Sequence, residues 1–218
     1  MKRKERAHLK EDPFRQFIET ILHWITRSRR ELVAGVIVLV SILVVILAVT
    51  LVRSHSYSRE NRRYSEALSI RNSETLSAKE KIDRLSQLKS GRGLSSAAQL
   101  FLAGLYFEQD KLEEARELMD NFSSSHLDII NDQKLLLEAQ ILGASERERE
   151  ALDLLNQLLA DSGSEVAKDY VLLLMAQFQF KARQLDSARD TLERLLEEFP
   201  LSAFTSRARQ LKLDIEME

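Results

Sequence analysis

Cysteine is absent from these 218 residues. No disulfide braces the fold and no thiolate serves as nucleophile or metal ligand, which fits an envelope compartment without requiring one. Proline occurs twice, at Pro13 and Pro200, and glycine six times, so the residues that break helices are scarce. No run alternates apolar and polar residues as a half-buried strand would. The signatures of catalysis are missing too. The histidines His8, His23, His55 and His126 are scattered without an H-E-x-x-H pair, so no metal site is expected. Neither a phosphate-cradling G-x-x-x-x-G-K-[ST] or G-x-G-x-x-G nor a G-x-S-x-G elbow occurs, so no cofactor and no catalytic residue is expected. The acidic runs Glu146–Glu150 and Glu197-Glu198 read as solvated helix faces rather than acid/base pairs. The chain reads as a protein that is not an enzyme.

What it does have in one place is apolar length. Leu32 to Val52 (LVAGVIVLVSILVVILAVTLV) is a run of twenty-one residues without a charge. As a helix it would extend about 31 Å, close to the roughly 30 Å hydrocarbon thickness of a bilayer. Its only polar residues, Ser41 and Thr50, carry hydroxyls that can bond back to the preceding turn. A buried core helix is the alternative, but such helices are usually shorter. The run also exceeds the 7–15 residues of a secretory h-region, so a retained signal-anchor is expected. It lacks a small-xxx-small pattern for tight dimerisation.

Charge divides around this run. Residues 1–55 hold ten Lys/Arg against five Asp/Glu, and residues 56–218 hold twenty-two against twenty-nine. An acidic domain on a basic foot argues against nucleic acid as a partner. Met1 to Lys10 is a solvated charge run, and Asp12-Pro13 is a helix start. Phe14, Phe17, Ile18, Ile21, Leu22 and Ile25 then share one helical face. That helix is expected in the headgroup plane with Trp24 as an interfacial ring; docking on a partner protein is the other reading. Nine Lys/Arg precede the apolar run, which favours a cytoplasmic amino terminus, although Arg53, Arg59, Arg62 and Arg63 nearly balance the flanks.

Beyond the run the pattern is all helix. Tyr64, Ala67 and Leu68 mark a helix leaving the membrane. Ser77-Ala78-Lys79-Glu80 has capping-box spacing and opens another with Ile82, Leu85 and Leu88, which Gly91 and Gly93 are expected to close. Then a repeat begins. Ala103 and Ala115, Ala139 and Ala151, and Ala176 and Ala188 each lie twelve apart, in units offset by 36 and 37 residues. Four residues after each second alanine comes a large apolar residue: Met119, Leu155, Leu192. Turn formers separate the units at Ser123–Ser125, Asp161–Ser164 and Pro200. Two antiparallel helices approach closely only where no side chain intervenes, hence a small residue twice per unit. Phe204, Ala208, Leu211 and Ile215 place a closing helix at the end.

This arrangement resembles the tetratricopeptide repeat, a helix–turn–helix of 34 residues with small residues at matching places. The third unit carries most of it (Ala176, Ala188, Leu192, Leu195, Pro200). The first keeps Leu102, Ala103, Tyr106, Ala115 and Met119, and no unit has the Trp. The expected fold is all-α: a single N-terminal transmembrane helix followed by a tetratricopeptide-like α-solenoid. Its divisions are a basic tail with an amphipathic helix (1–31), the anchor (32–52), a juxtamembrane helix with a degenerate repeat (53–91), and repeats with a closing helix (92–218). The resemblance implies a concave wall built from first helices, with Leu100, Gly104, Phe107, Leu136, Gln140, Tyr170, Leu173, Gln177 and Phe180 facing inward. These are apolar, aromatic and amide side chains, suited to an apolar or amphipathic segment of another protein. The Lys/Arg/Asn set with which some relatives hold a carboxylate is missing. Equally open is a wall filled by the chain's own helices, with the leucines as core.

An amphipathic preamble, a single anchor and repeats to the end also resemble the bacterial inner-membrane tetratricopeptide-like family of ancillary SecYEG translocon subunits. That resemblance implies a periplasmic repeat domain whose partners are translocon subunits, periplasmic chaperones or exported polypeptides. An envelope scaffold for outer-membrane assembly or cell-wall synthesis is the competing class. The repeat reading makes one direct prediction. Ala188→Glu drives a charge into a helix contact and lowers stability by about 3–5 kcal/mol; an unchanged melting temperature would refute the packing.

Overall fold

A computed structural model describes residues 29–90, 93–164 and 166–218. The amphipathic helix expected over 12–25, with Trp24, and the turn residue Gly91 lie outside the described residues. The chain divides into two compact units, Met1–His55 and Ser56–Glu218.

The first helix, α1 (Arg29–Arg71), contains the apolar run. Its large apolar side chains from Val33 to Val52 are 51–67% exposed, which rules out the buried core helix. By length and composition α1 is long and apolar enough to cross a membrane. Its two hydroxyls are satisfied within the helix: Ser41 Oγ donates to Ile37 O at 2.7 Å and Thr50 Oγ1 to Leu47 O at 2.9 Å.

The second unit is a stack of helix pairs. The end of α1 and α2 (Ala78–Leu85) come first. Then α3 (Ser96–Glu108) pairs with α4 (Leu112–Asp120), α5 (Asp128–Ala144) with α6 (Glu148–Ala160), and α7 (Lys168–Lys181) with α8 (Leu185–Glu198); α9 (Thr205–Glu216) packs on α8 and α7. The reason these residues pair is visible at the alanines. Ala103, Ala115, Ala139, Ala151, Ala176 and Ala188 are all 0% exposed, each placing only a methyl where two helix backbones meet. Met119, Leu155 and Leu192, four residues on, are buried beside them, Leu155 and Leu192 each worth about 1.5–3 kcal/mol of apolar burial. Ala67 lies 36 residues before Ala103 and is buried just as completely, against Leu85 and Phe101. The core is accordingly a chain of clusters, each joining one pair to the next, as in a solenoid. In α9, Ala208 and Ile215 are buried and Phe204 and Leu211 pack against the same cluster.

The turn inside each pair is built the same way three times. Asp110, Glu146 and Arg183 adopt φ of 60°, 59° and 61°, the left-handed conformation that closes a helix. The next N–H then reaches back: Lys111 N to Tyr106 O at 2.9 Å, Arg147 N to Leu142 O at 2.9 Å, Gln184 N to Gln179 O at 2.8 Å. The carbonyl of that same residue accepts from the second alanine of the unit, Ala115, Ala151 or Ala188. One residue thus ends the first helix and begins the second, which holds the two alanines in register.

One segment departs from expectation. The capping box forms as read, with Ser77 Oγ accepting from Glu80 N and Glu80 accepting from Ser77 N. But α2 ends at Leu85, and the glycines do not close it. Lys89–Ser90 instead pairs antiparallel with Gly93–Leu94. A two-residue ladder closed by a short connection needs no apolar alternation, so periodicity carried no trace of it.

Gly143 of α5 supplies a test of the packing between pairs. A Cβ there would lie 2.2, 2.4 and 2.9 Å from three ring atoms of Phe178 on α7, and Phe178 is itself a core residue, 5% exposed. Gly→Ala in a helix ordinarily gains about 0.5–1 kcal/mol, while overpacking a core loses about 1–3. Clash wins here: Gly143→Ala lowers stability in denaturant unfolding, and Phe178→Leu in the same chain restores part of it.

Candidate partner-binding groove

The positions expected to face inward lie on α3, α5 and α7, and the repeat offset makes Gly104, Gln140 and Gln177 equivalent, as it does Leu100, Leu136 and Leu173. Between α3 and α5 a cavity of about 210 Å³ gathers Leu100, Gly104, Phe107, Leu136 and Gln140, together with Phe101, Gln133, Leu137, Arg71 and Glu108. Leu100 is 4% exposed and forms its floor; Phe107, Leu136 and Gln140 are partly buried.

Further along, the wall changes character. Gln140 Nε2 donates to Tyr170 Oη at 2.9 Å, linking α5 to α7. The Tyr170 ring lies 5.2 Å from that of Phe204. Leu173, at 2% exposure, is core among Ala176, Leu192 and Ala208. Phe180 is partly buried against that same cluster, and Gln177 is partly buried between them in sequence. The first half of the wall therefore holds a cavity, while Leu173 and Phe180 in the second half pack where α9 closes the stack.

Arg71, Glu108 and Gln133 were missed as wall residues. Arg71 ends α1 and reaches over Phe101 with its guanidinium carbon 6.0 Å from the ring centroid. It pairs with Glu108 at 2.5 Å. Gly104 makes this possible, because a Cβ there would come within 2.7 Å of Arg71 Nη1. The bare Gly104 backbone beside a candidate helix pair was the one available signal. With 29% and 54% of their side chains exposed, the partners form an ion pair worth at most about 1 kcal/mol.

A larger cavity, about 340 Å³, opens among α4, α5 and α6. Among its lining charges Arg147 pairs with Glu150, Arg116 with Asp120 and Glu138 with Lys134, and the lining contains none of the positions expected to face inward. The Arg147 guanidinium donating to Glu150 holds that carboxyl below the usual range. We find no chemistry there beyond a solvated ion-pair lattice. Among the described residues no cluster of His, Cys, Asp or Glu could hold a metal.

The stacked helix pairs form a tetratricopeptide-like, all-α helical repeat fold. Residues 170–202, spanning α7, α8 and Pro200, match the tetratricopeptide repeat family. No curated protein and no solved structure matches the chain.

Burial pushes the Tyr170 hydroxyl above its ordinary value of 10.0, with Arg207 opposing. A raised folded pKa favours the protonated form, so this stabilisation is complete below the unfolded value and is lost as pH rises through the folded one. Stability is expected to fall above about pH 10. Tyr170→Phe should flatten that decline, and an ultraviolet titration of the parent should show one tyrosine ionising late that the variant lacks.

Proposed function

We propose that this chain is a membrane-anchored protein-binding protein that takes an apolar or amphipathic segment of a partner onto the inner wall of its repeats. The observation that carries this reading is a wall cavity of leucine, phenylalanine and amide side chains in which the one cation and the one anion neutralise each other. Such a surface favours uncharged segments and disfavours nucleic acid or strongly charged tails. The exposed apolar part of α1 supports a bilayer span, since a helix satisfies its own backbone and hydrocarbon covers the side chains.

On this reading the amino terminus lies in the cytoplasm, following the nine Lys/Arg of residues 1–31. The repeats lie in the periplasm, attached to the inner membrane. There the protein serves as an adaptor in the chaperone network of the protein-export translocon, contacting translocon subunits, periplasmic chaperones or exported chains. Leu100, Phe107, Leu136 and Gln140 form the primary contact, with Tyr170, Leu173, Gln177 and Phe180 continuing it.

Photo-crosslinking residues at Phe107 and Gln133 of the full chain, in cells, test the assignment. Adducts with translocon subunits or exported polypeptides are expected, together with co-purification of the translocon in mild detergent. Capture of nothing overturns the groove. Recovery of outer-membrane assembly or cell-wall enzymes instead makes the protein an envelope scaffold.

A further inference from the structure

The cavity of about 340 Å³ among α4, α5 and α6 carries no reaction chemistry, but it has the parts of a docking surface. Its apolar lining comes from all three helices: Met119 of α4, Ile141 and Leu142 of α5, and Leu154 of α6. Met119 and Ile141 are 3% and 2% exposed, while Leu142 and Leu154 are partly buried. Charged residues one turn earlier share those helix faces. Arg116 precedes Met119, Glu138 precedes Ile141 and Leu142, and Glu150 precedes Leu154.

Acid is concentrated on these same helices. Residues 112–161, which contain α4, α5 and α6, hold four Lys/Arg against twelve Asp/Glu, whereas the rest of 56–218 holds eighteen against seventeen. The net acidity of the domain is therefore that of the cavity's own helices. A field of one sign over a concave apolar surface draws in ligands of the other sign. It repels the phosphates of nucleic acid and of anionic lipid.

The ion pairs at the mouth do not close it. Arg116 with Asp120 and Arg147 with Glu150 keep 35–63% of their side chains in solvent, and exposed pairs of this kind contribute little. The Glu150 carboxyl is held down first by Arg147 and more weakly by Arg116 from α4, so the lattice reaches across the opening from α4 to α6. An incoming cation can exchange with a resident one at small cost. Asp153 of α6 lines the cavity, is exposed, and has no ion-pair partner among the described residues.

We propose that this cavity docks a basic segment of a partner protein, one apolar side chain entering among α4, α5 and α6 while flanking Lys or Arg side chains meet the acidic rim. An apolar anchor in a pocket supplies affinity, and the surrounding charges supply orientation and selectivity. The surface shares no residue with the positions expected to face inward, so it stands whether or not that wall binds a segment. The test uses the full chain in neutral detergent and a short fluorescent peptide of lysine, glycine and serine with one central leucine. Two control peptides replace the leucine by serine or the lysines by glutamate.

Anisotropy should show binding that weakens about tenfold with the serine peptide, disappears with the glutamate peptide, and declines as salt is raised. Asp153→Lys should weaken it about fivefold. Asp190→Lys makes the same charge change at an exposed position of α8, outside the lining, and should leave it unchanged. A benzophenone in place of the central leucine should give adducts at Met119, Leu142 or Leu154. The proposal is overturned by absence of binding, by equal effects of Asp153→Lys and Asp190→Lys, by indifference to the leucine, or by adducts at Phe107 and Gln133 instead.

Discussion

Close approach of helix backbones at six alanines is the constraint on which the rest of this structure depends. Each alanine is buried to 0% exposure, and each presents only a methyl group at the contact between paired helices. A larger side chain would push the pair apart and uncouple the apolar residue one turn on from the gap it fills. The turn is subordinate to the same requirement. Lys111, Arg147 and Gln184 each close one helix and open the next, which leaves no slack for the alanines to slide out of register. Asp110, Glu146 and Arg183 accept left-handed backbone geometry at a cost of about 1–2 kcal/mol each, a cost offset by the burial that the tight turn permits.

Nesting at the alanines also determines where polar chemistry can go. With the pair interiors filled, the residues one position after the first alanines are Gly104, Gln140 and Gln177, uncharged in all three units. Charge is pushed outward: the ion pairs Arg147–Glu150, Arg194–Glu198 and Lys212–Glu193 decorate the second helices and the last one. Along the domain, charge runs from a basic start, nine Lys/Arg against five Asp/Glu over 56–95, to an acidic remainder, thirteen against twenty-four over 96–218.

Much of this was legible in the linear chain because its physics is local. A methyl needed every twelve residues, a hydroxyl with a carboxylate three residues on at Ser77 and Glu80, and polar turns at Ser123–Ser125 and Asp161–Ser164 are all short-range patterns. They lie where the structure has contacts, a capped helix and connections. The Lys89–Leu94 ladder was illegible because two residues per strand carry no period. The left-handed turns escaped because glycine is the usual signal, and these three positions are Asp, Glu and Arg. The sequence left the row open as either groove or core: Leu100 and Leu173 are both core, while Phe107 borders a cavity and Phe180 packs into the cluster completed by α9. That difference depends on a helix some thirty residues away in the chain.

Sequence alone determined the class: helices throughout, an apolar run of bilayer length, and paired small residues at a repeat offset that only nested helices explain. These follow from periodicity and composition, which each segment carries in itself. Which side chains meet was decided by tertiary structure. Arg71 reaches Glu108 across Gly104, Gln140 reaches Tyr170, and Glu60 holds the loop at Ser125. Such contacts join residues 30 to 65 positions apart, and their geometry exists only once the stack has set the distance between helices.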